Sequence, residues 1–568
     1  MYIAIEQFNP TVGALRENSK RALARIDALA SVPYPPDLVV FPAFALTGAP
    51  VAGLQSHDAF SAECLDVLND FCARAKLPTL VGTLFPQRHP DTSFINLPEV
   101  VYCEGGKGEI LHFSNLFERM LDEQGASLPF LQIAGEKVTV LFDGLPESDE
   151  DFLETDVLVV MLAKDYHSTD EMFTASLQIE SLSQSAVRNS IWIVCVNLVG
   201  GQDDLVFDGA SIVIAPSGQV IASAQPFEEH SLLVNLAANS EEVKVRPLLP
   251  YEADWRALTL SIRDYLGKNG FSDCVIGLSG GIDSSVTAAL ACDALGAEHV
   301  HGVLMPSHNS SPGSISDATE LAKNLGIATL HLPITGAYDG FVEQYQRELG
   351  SPGSDIALQN IQARIRTIHL MHLANSYDWL LLNTGNKSEA AMGYSTLYGD
   401  TAGALAPLGN TYKTDVYGLA EWRNQQSAVI PRTTLEKPPS AELYEGQKDS
   451  DALPDYQLLD RVLRLHIDRD LGADQIITLL RASGEDGDIT PELVLEILGR
   501  VRRAEFKRRQ EPLAPSLASV DITNERAWPV TNGFNDRNRN IPTAFEVFDF
   551  LGNLYGSHGP RGAGIMRN

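Results

Sequence analysis

Residues 273–285, DCVIGLSGGIDSS, call for a strand, a glycine turn and a helix in immediate succession. Val275, Ile276 and Leu278 form the apolar run after Cys274, and SVTAALACDAL continues as a helix-compatible stretch. Between them, from Gly277 on, stand Ser279, Gly280, Gly281, Ile282, Asp283 and Ser284. Paired glycines adopt positive φ and carry no Cβ, so backbone N–H groups can close around an anion. The helix that follows adds its positive end at the same point. Ser279 and Ser284 can donate hydroxyl hydrogen bonds, and Asp283 offers a carboxylate for Mg2+ beside bound phosphates. With no lysine, the turn is not a G-x4-G-K-[ST] loop.

Further strands are expected at HVHGVLMP (299–306), TLHLPI (329–334) and WLLLNTG (379–385), with helices between, hence a doubly wound parallel sheet. Such sheets bind ligands at the carboxyl ends of their strands, and each of these ends in a polar cluster. After the second, Ser310, Ser311 and Ser314 can hydrogen-bond phosphate or ribose, and Ser314 with Asp317 fits a helix-capping pair. A helix from Ser354 puts Asn360 and Arg364 on one face and Ile361, Ile365 and Ile368 on a buried stripe. The last strand runs through Thr384 to Glu389, a second carboxylate for Mg2+. Beyond it, Asp400 sits in a glycine-bracketed loop suited to ligand contact, and Lys413 is a candidate phosphate contact. The proline-broken stretch 437–460 is too long for a simple connector and reads as a lid. VRRAEFKRRQ (501–510) gathers five cations, Lys507 among them, that an anionic substrate would use.

In order and spacing, GLSGGIDSS, MPSHNSSPGS, NIQARIR, TGNKSE, YSTLYGD, KPPSAEL and EFKRRQ resemble NAD synthetases, over about residues 250–534. The first also matches the SGGxDS signature of ATP pyrophosphatases. The resemblance implies an adenine nucleotide alpha hydrolase-like domain that activates deamido-NAD with ATP and Mg2+ and then amidates it. It implies ATP binding by residues 277–284, Thr384 and Lys413, Mg2+ on Asp283 and Glu389, and chemistry at Asp283, Glu389 and Lys413. Asn360 and Glu389 would touch deamido-NAD, Lys507 would reach its phosphates, and Arg364 and Asp400 join them as candidates. Gln359 departs from the acid common at its position.

The first half alternates strands and helices as well, from the strand at 1–9 through DLVVFP (37–42), TLVGTLF (79–85), KVTVLF (137–142), DVLVVML (156–162) and SIWIVCVNLV (190–199). FPAFALTG (41–48), LVGGQDDLVFDGAS (198–211) and NPTVGAL (9–15) resemble the nitrilase-type amidase domain that supplies ammonia in glutamine-dependent NAD synthetases, an α-β-β-α sandwich. Amidases of that family use a Glu–Lys–Cys triad. Here Ala43 stands at the glutamate position, His112 at the lysine position counted back from Asp122-Glu123, and Leu141 at the cysteine position. The loop matching the family's glutamine-binding ASP segment reads Leu162-Ala163-Lys164-Asp165. The expectation is an amidase fold that does not hydrolyse glutamine. It would be kept for oligomer assembly, for an ammonia route or for contact with a separate amidase, with free ammonia as the donor.

At 568 residues the chain exceeds one core. Units are expected at 1–248 (amidase-like), 249–534 (synthetase) and 535–568, an extension in which 543–556 is apolar enough to dock as a helix. Forty-two basic against seventy-four acidic residues leave a net charge of −32, which repels nucleic acid. No apolar run is long enough for a membrane span, and the N-terminus lacks a basic region or cleavage site. Six scattered cysteines without C-x-x-C read as free thiols in a cytoplasmic protein. A homo-oligomer is expected. Two other readings of the residues are a paralogue amidating another carboxylate and a non-catalytic assembly or regulatory subunit.

Overall fold

The computed structural model describes residues 1–88, 94–111, 130–142, 144, 152, 154–168, 175–237, 242–482, 490–517, 522 and 528–531. His112, Asp122, Glu123 and the extension 535–568 lie outside the described residues.

Alternating apolar side chains build the first half in layers. One sheet holds β1 (Tyr2–Gln7), β2 (Leu38–Val40), β3 (Thr79–Arg88), β4 (Phe94–Glu104) and β5 (Lys107–Leu111). A second holds β6 (Phe130–Ile133), β7 (Glu136–Phe142), β8 (Val157–Leu162) and β9 (Trp192–Asn197). After the hairpin β10 (Val199–Gln202)–β11 (Leu205–Asp208), β12 (Ile212–Ile214) and β13 (Val220–Ser223) extend the second sheet, and β14 (His230–Asn235) closes the free edge of the first beside β1. Ile3, Ile5, Leu38 and Val40 meet Val138, Val140, Val157 and Val194 between the sheets. Their alternates Ala4, Val39, Val81 and Val101 pack under α1 (Leu15–Ala30) and α2 (Asp58–Arg74). Leu158, Val160 and Ile193 face α3 (Ala175–Asn189) on the opposite side. This is the expected α-β-β-α sandwich.

In the second half β15 (Cys274–Gly277), β16 (Val300–Leu304), β17 (Ala328–His331) and β18 (Leu380–Leu381) are parallel, in the order β17-β16-β15-β18. The chain works outward from β15 to β17, then returns to β15's other side. That reversal opens a crevice at the strand ends, the place where open α/β sheets bind ligands. α4 (Pro250–Lys268), α5 (Ile282–Leu295) and α6 (Pro312–Leu325) cover one face. α7 (Thr335–Leu349) and α8 (Asp355–Tyr377) cover the other. Beyond α9 (Lys387–Met392), α10 (Lys413–Gln426) and α11 (Arg432–Glu436), four helices form a cap: α12 (Tyr456–Leu463), α13 (Ala473–Ala482), α14 (Pro491–Arg503) and α15 (Glu505–Arg508). The first three share a core with Ala391, Met392 and Tyr412.

The halves meet at α4. Its Trp255, Leu258 and Ile262 belong to one apolar cluster with Val199, Val206 and Phe227 of the first half and Ile276 and Leu290 of the second. Asp264 accepts from Asn9 Nδ2 and from the Gly201 amide at 2.7 Å each, and Lys268 Nζ donates to the Gly201 carbonyl at 2.7 Å. A Cβ on Gly201 would lie 2.9 Å from the Ser261 Cα, so only glycine lets the hairpin dock this closely.

Three local expectations need correction. Cys72 and Cys103 are not free thiols but a disulfide, because α2 lies against β4 with the two Cα atoms 5.1 Å apart. The cap of α6 is Ser311, whose hydroxyl accepts from the Ser314 amide; Ser314 is inside the helix, and Asp317 binds Lys437 and Thr433. Ile365 is buried, but Ile368 is 59% exposed, because nothing in the described chain covers that side of α8.

Candidate active site

A cavity of about 340 Å3 occupies the crevice at the strand ends. Ser279, Asp283 and Ser284 line it from the β15 turn, Ser310 and Ser314 from the segment after β16, and Thr384, Asn386 and Glu389 from the segment after β18. Residues 437–443 and Asp449 form its outer wall.

The glycine turn is built as its sequence demands. Gly280 has φ +79°, and a Cβ there would meet the Ser314 carbonyl of α6, so no other residue fits. Gly281 caps α5, whose first amides lack intrahelical partners and point into the cavity mouth. Ser279 Oγ accepts from the Gly281 amide at 3.1 Å and lies 3.0 Å from Ser284 Oγ.

At the centre Lys413 Nζ donates to Asp283 at 2.6 Å and to Glu389 at 3.0 Å, with 2% of its side chain exposed. Asn386 orients both acids: its amide nitrogen donates to Asp283 at 3.0 Å and its oxygen accepts from the Glu389 amide. Burial pulls the lysine down, but the two carboxylates outweigh it and hold its proton well above the ordinary lysine range. Burial pushes the Glu389 carboxyl up, against the pull of Lys413. Lys413 is fixed from behind, since its own amide donates to Ser388 Oγ and Ser388 donates to Asp460. Two carboxylates facing one space fit Mg2+, which is commonly bound by one or two carboxylates with phosphate oxygens completing the shell. Among the described residues no group of three metal-binding side chains exists, so such an ion depends on the nucleotide for its other ligands.

The remaining candidates divide. Asp400 lines the cavity, where its carboxylate accepts from the Thr396 amide at 2.6 Å. Asn360 and Arg364 do not line the cavity: Asn360 accepts from Thr396 Oγ1, and the exposed Arg364 donates to the Leu397 carbonyl. Lys507 donates to the Gly393 and Ser395 carbonyls at 2.7 and 2.6 Å, bracing the loop that leads to Asp400. The cation that does enter from α8 is Arg366, whose Nε donates to the Met305 carbonyl; it stands in the same NIQARIR segment, two positions beyond Arg364.

Glu511 was also missed, standing at the end of the basic run and lining the cavity near Asp400. Burial pushes it up to about 7 from an ordinary 4.5. The folded chain therefore keeps this proton to higher pH than the unfolded chain, and stability declines as pH climbs from the lower value through the upper. Glu511→Gln is expected to flatten that decline, with a gain at about pH 8 of no more than about 2 kcal/mol and none at about pH 4, since the cavity admits solvent. Thermal melts across that range check it.

In the first half Ala43 is fully buried just beyond β2, and Leu141 lies in β7, packed among Leu158, Val160 and Cys195. Asn197 links Lys164 to Asp208, its Nδ2 donating to the Lys164 carbonyl at 2.9 Å and to Asp208 at 3.1 Å, and the charges of both bear on Cys195 of the same strand. Cys195 is 3% exposed in the apolar core, and burial pushes it up to about 12, so it stays a thiol at neutral pH. Asp208, raised to about 6 by burial, accepts from Asn197.

A family model described as NAD synthase matches residues 254–511, and one described as carbon-nitrogen hydrolase matches 154–244. Curated relatives from Aquifex aeolicus and Thermotoga maritima, both called glutamine-dependent NAD(+) synthetase, are 35% identical over 94% of this chain and 99% of theirs. A solved glutamine-dependent NAD+ synthetase from Acinetobacter baumannii, in complex with ADP, superposes with a TM-score of 0.66 at 28% identity, covering 94% of this chain and 99% of that one. The corresponding protein from Cytophaga hutchinsonii shares the fold with a TM-score of 0.77 at 18% identity, over 94% and 98% of the two chains.

Proposed function

The chain belongs to the NAD synthetase family of the two-domain type, and from that premise we propose that it amidates deamido-NAD with ATP, using free ammonia. The observation that carries the synthetase reading is Lys413 held between Asp283 and Glu389 at the mouth of the glycine turn. The nicotinate carboxylate oxygen attacks the α-phosphorus of ATP, and the bond to pyrophosphate breaks. Ammonia nitrogen then attacks the acyl carbon, the bond to AMP breaks with its electron pair, and the nitrogen sheds a proton. The turn amides with Ser279 and Ser284 hold the phosphates, and Lys413 places fixed positive charge where negative charge builds. Mg2+, which Asp283 and Glu389 would hold, supplies charge neutralisation on the departing pyrophosphate. Asp400, Glu389 and Arg366 would contact deamido-NAD or ATP within the cavity.

What supports the donor half of the proposal is local. Two of the three triad positions carry Ala43 and Leu141, which offer neither proton nor nucleophile, and the carbon-nitrogen hydrolase match begins downstream of all three. On the other side of the sheet, α8 leaves Ile356 and Ile368 exposed beside Arg364. We place a homo-oligomer contact there, which would bring Asn360 and Arg364 to a substrate shared between copies. The test is to incubate purified protein with ATP, Mg2+ and ammonium and to vary the acid. NAD and AMP should appear in step with deamido-NAD and not with other pyridine carboxylates; NAD formation that is absent with deamido-NAD overturns the reading.

A further inference from the structure

In the exposed stretch 444–452, Asp449 is the single buried residue. This stretch belongs to the wall over the cavity, which is latched at its near end by side chains. Lys437 Nζ donates to Asp317 at 2.8 Å and to Ser314 at 3.1 Å. Glu442 accepts from the hydroxyls of Ser311 and Ser314 at 2.8 and 2.7 Å. Asn309 and Gln362 both donate to the Leu443 carbonyl at 2.9 Å.

At the far end Arg500 donates to the Ala452 carbonyl at 2.6 Å and Leu453 enters the cap's core, but the side chain that faces the reaction centre is Asp449, 4% exposed. One of its oxygens accepts from Tyr456 Oη at 3.0 Å and the other from Tyr394 Oη at 3.3 Å. Both tyrosines belong to the reaction centre's own supports. Tyr394 hangs from Glu389, whose carbonyl accepts its amide at 2.9 Å. The Tyr456 ring lies 5.3 Å from Lys413 Nζ. A carboxylate placed this close to Asp283 and Glu389 is unfavourable by charge, and its own carboxyl is raised by burial. Burying an acid beside two others costs free energy that its two tyrosine hydrogen bonds offset.

We propose that Asp449 is a positioning residue that locks the 437–453 wall onto the Lys413–Glu389 centre, so that the activated intermediate meets ammonia and not water. The proposal rests on the synthetase reading above and adds a residue to it. If the wall lifts, water oxygen attacks the acyl carbon of the acyl-adenylate, the bond to AMP breaks, and deamido-NAD and AMP are released without NAD. ATP would then be consumed in a futile cycle.

The test measures AMP released per NAD formed, with saturating ATP, Mg2+, ammonium and deamido-NAD, in the wild type, in Asp449→Ala and in the double variant Tyr394→Phe/Tyr456→Phe. The double variant removes the two donors while keeping the rings, so it serves if Asp449→Ala does not fold. The wild type should release one AMP per NAD, and the variants at least about three. Asp449→Glu should return part of the coupling. If AMP and NAD fall together at a ratio of one, Asp449 is a loop anchor only and the proposal is overturned. If the wild type releases no AMP with deamido-NAD, the underlying synthetase reading fails instead, and the assignment of Asp449 falls with it.

Discussion

With glutamine as the only nitrogen source, the purified chain is expected to make NAD at least about a thousandfold more slowly than with an ammonium salt. Releasing ammonia from a carboxamide requires a nucleophile to form an acyl-enzyme and a group to move the proton. Leu141 is a hydrocarbon packed in the core, Ala43 is a buried methyl, and Cys195, the thiol in the same cluster as Leu141, is held protonated. An electrophilic glutamine analogue should correspondingly leave the ammonium-driven rate untouched. Leu141→Cys alone should not restore glutamine use, because Ala43 still offers no base. The curated relatives are called glutamine-dependent. Equal rates with the two donors would place this chain with them and end the ammonia proposal, while leaving the synthetase assignment standing.

Lys413→Met is expected to lower NAD formation from ammonium by at least about a thousandfold, or about 4 kcal/mol of transition-state stabilisation. It also leaves Asp283 and Glu389 facing each other without their shared cation. Removing one member of a buried charge group costs about 3–5 kcal/mol, and partial access of the two acids to the cavity reduces that figure here. A lower melting temperature should therefore accompany the lost activity. Lys413→Arg separates the two effects. It keeps the positive charge and should recover much of the stability, but its planar fork does not fit a point held by two acids at 2.6 and 3.0 Å, so turnover should stay low. Should Lys413→Met retain turnover within tenfold of wild type, the lysine is not where charge develops.

What could be read from sequence was what local chemistry determines. The glycine turn, Asp283, Thr384, Glu389 and Lys413 each lie at or near a strand end or helix start, so knowing the element gave the direction of the side chain. Residues placed by packing at a distance were harder. On α8 the sequence offers Arg364 and Arg366 two positions apart; which one enters the cavity depends on how the helix is rotated against β15 and β16. The same rotation exposes Ile368, whose apolar character alone suggested the core. Glu511 and Asp449 sit in segments of mixed charge where an acid looks ordinary until the tertiary fold half-buries the first and buries the second. Cys72 and Cys103, 31 residues apart, meet only because a helix crosses a strand.

Helix α4 bears on what the amidase-like half contributes besides any chemistry of its own. Its apolar residues touch hairpin β10–β11 on one side and the nucleotide sheet on the other, within one continuous cluster. Deleting the amidase-like half would therefore strip the synthetase of part of its own interior, whatever chemistry that half performs. Selection on NAD formation alone is then enough to preserve the fold of its neighbour.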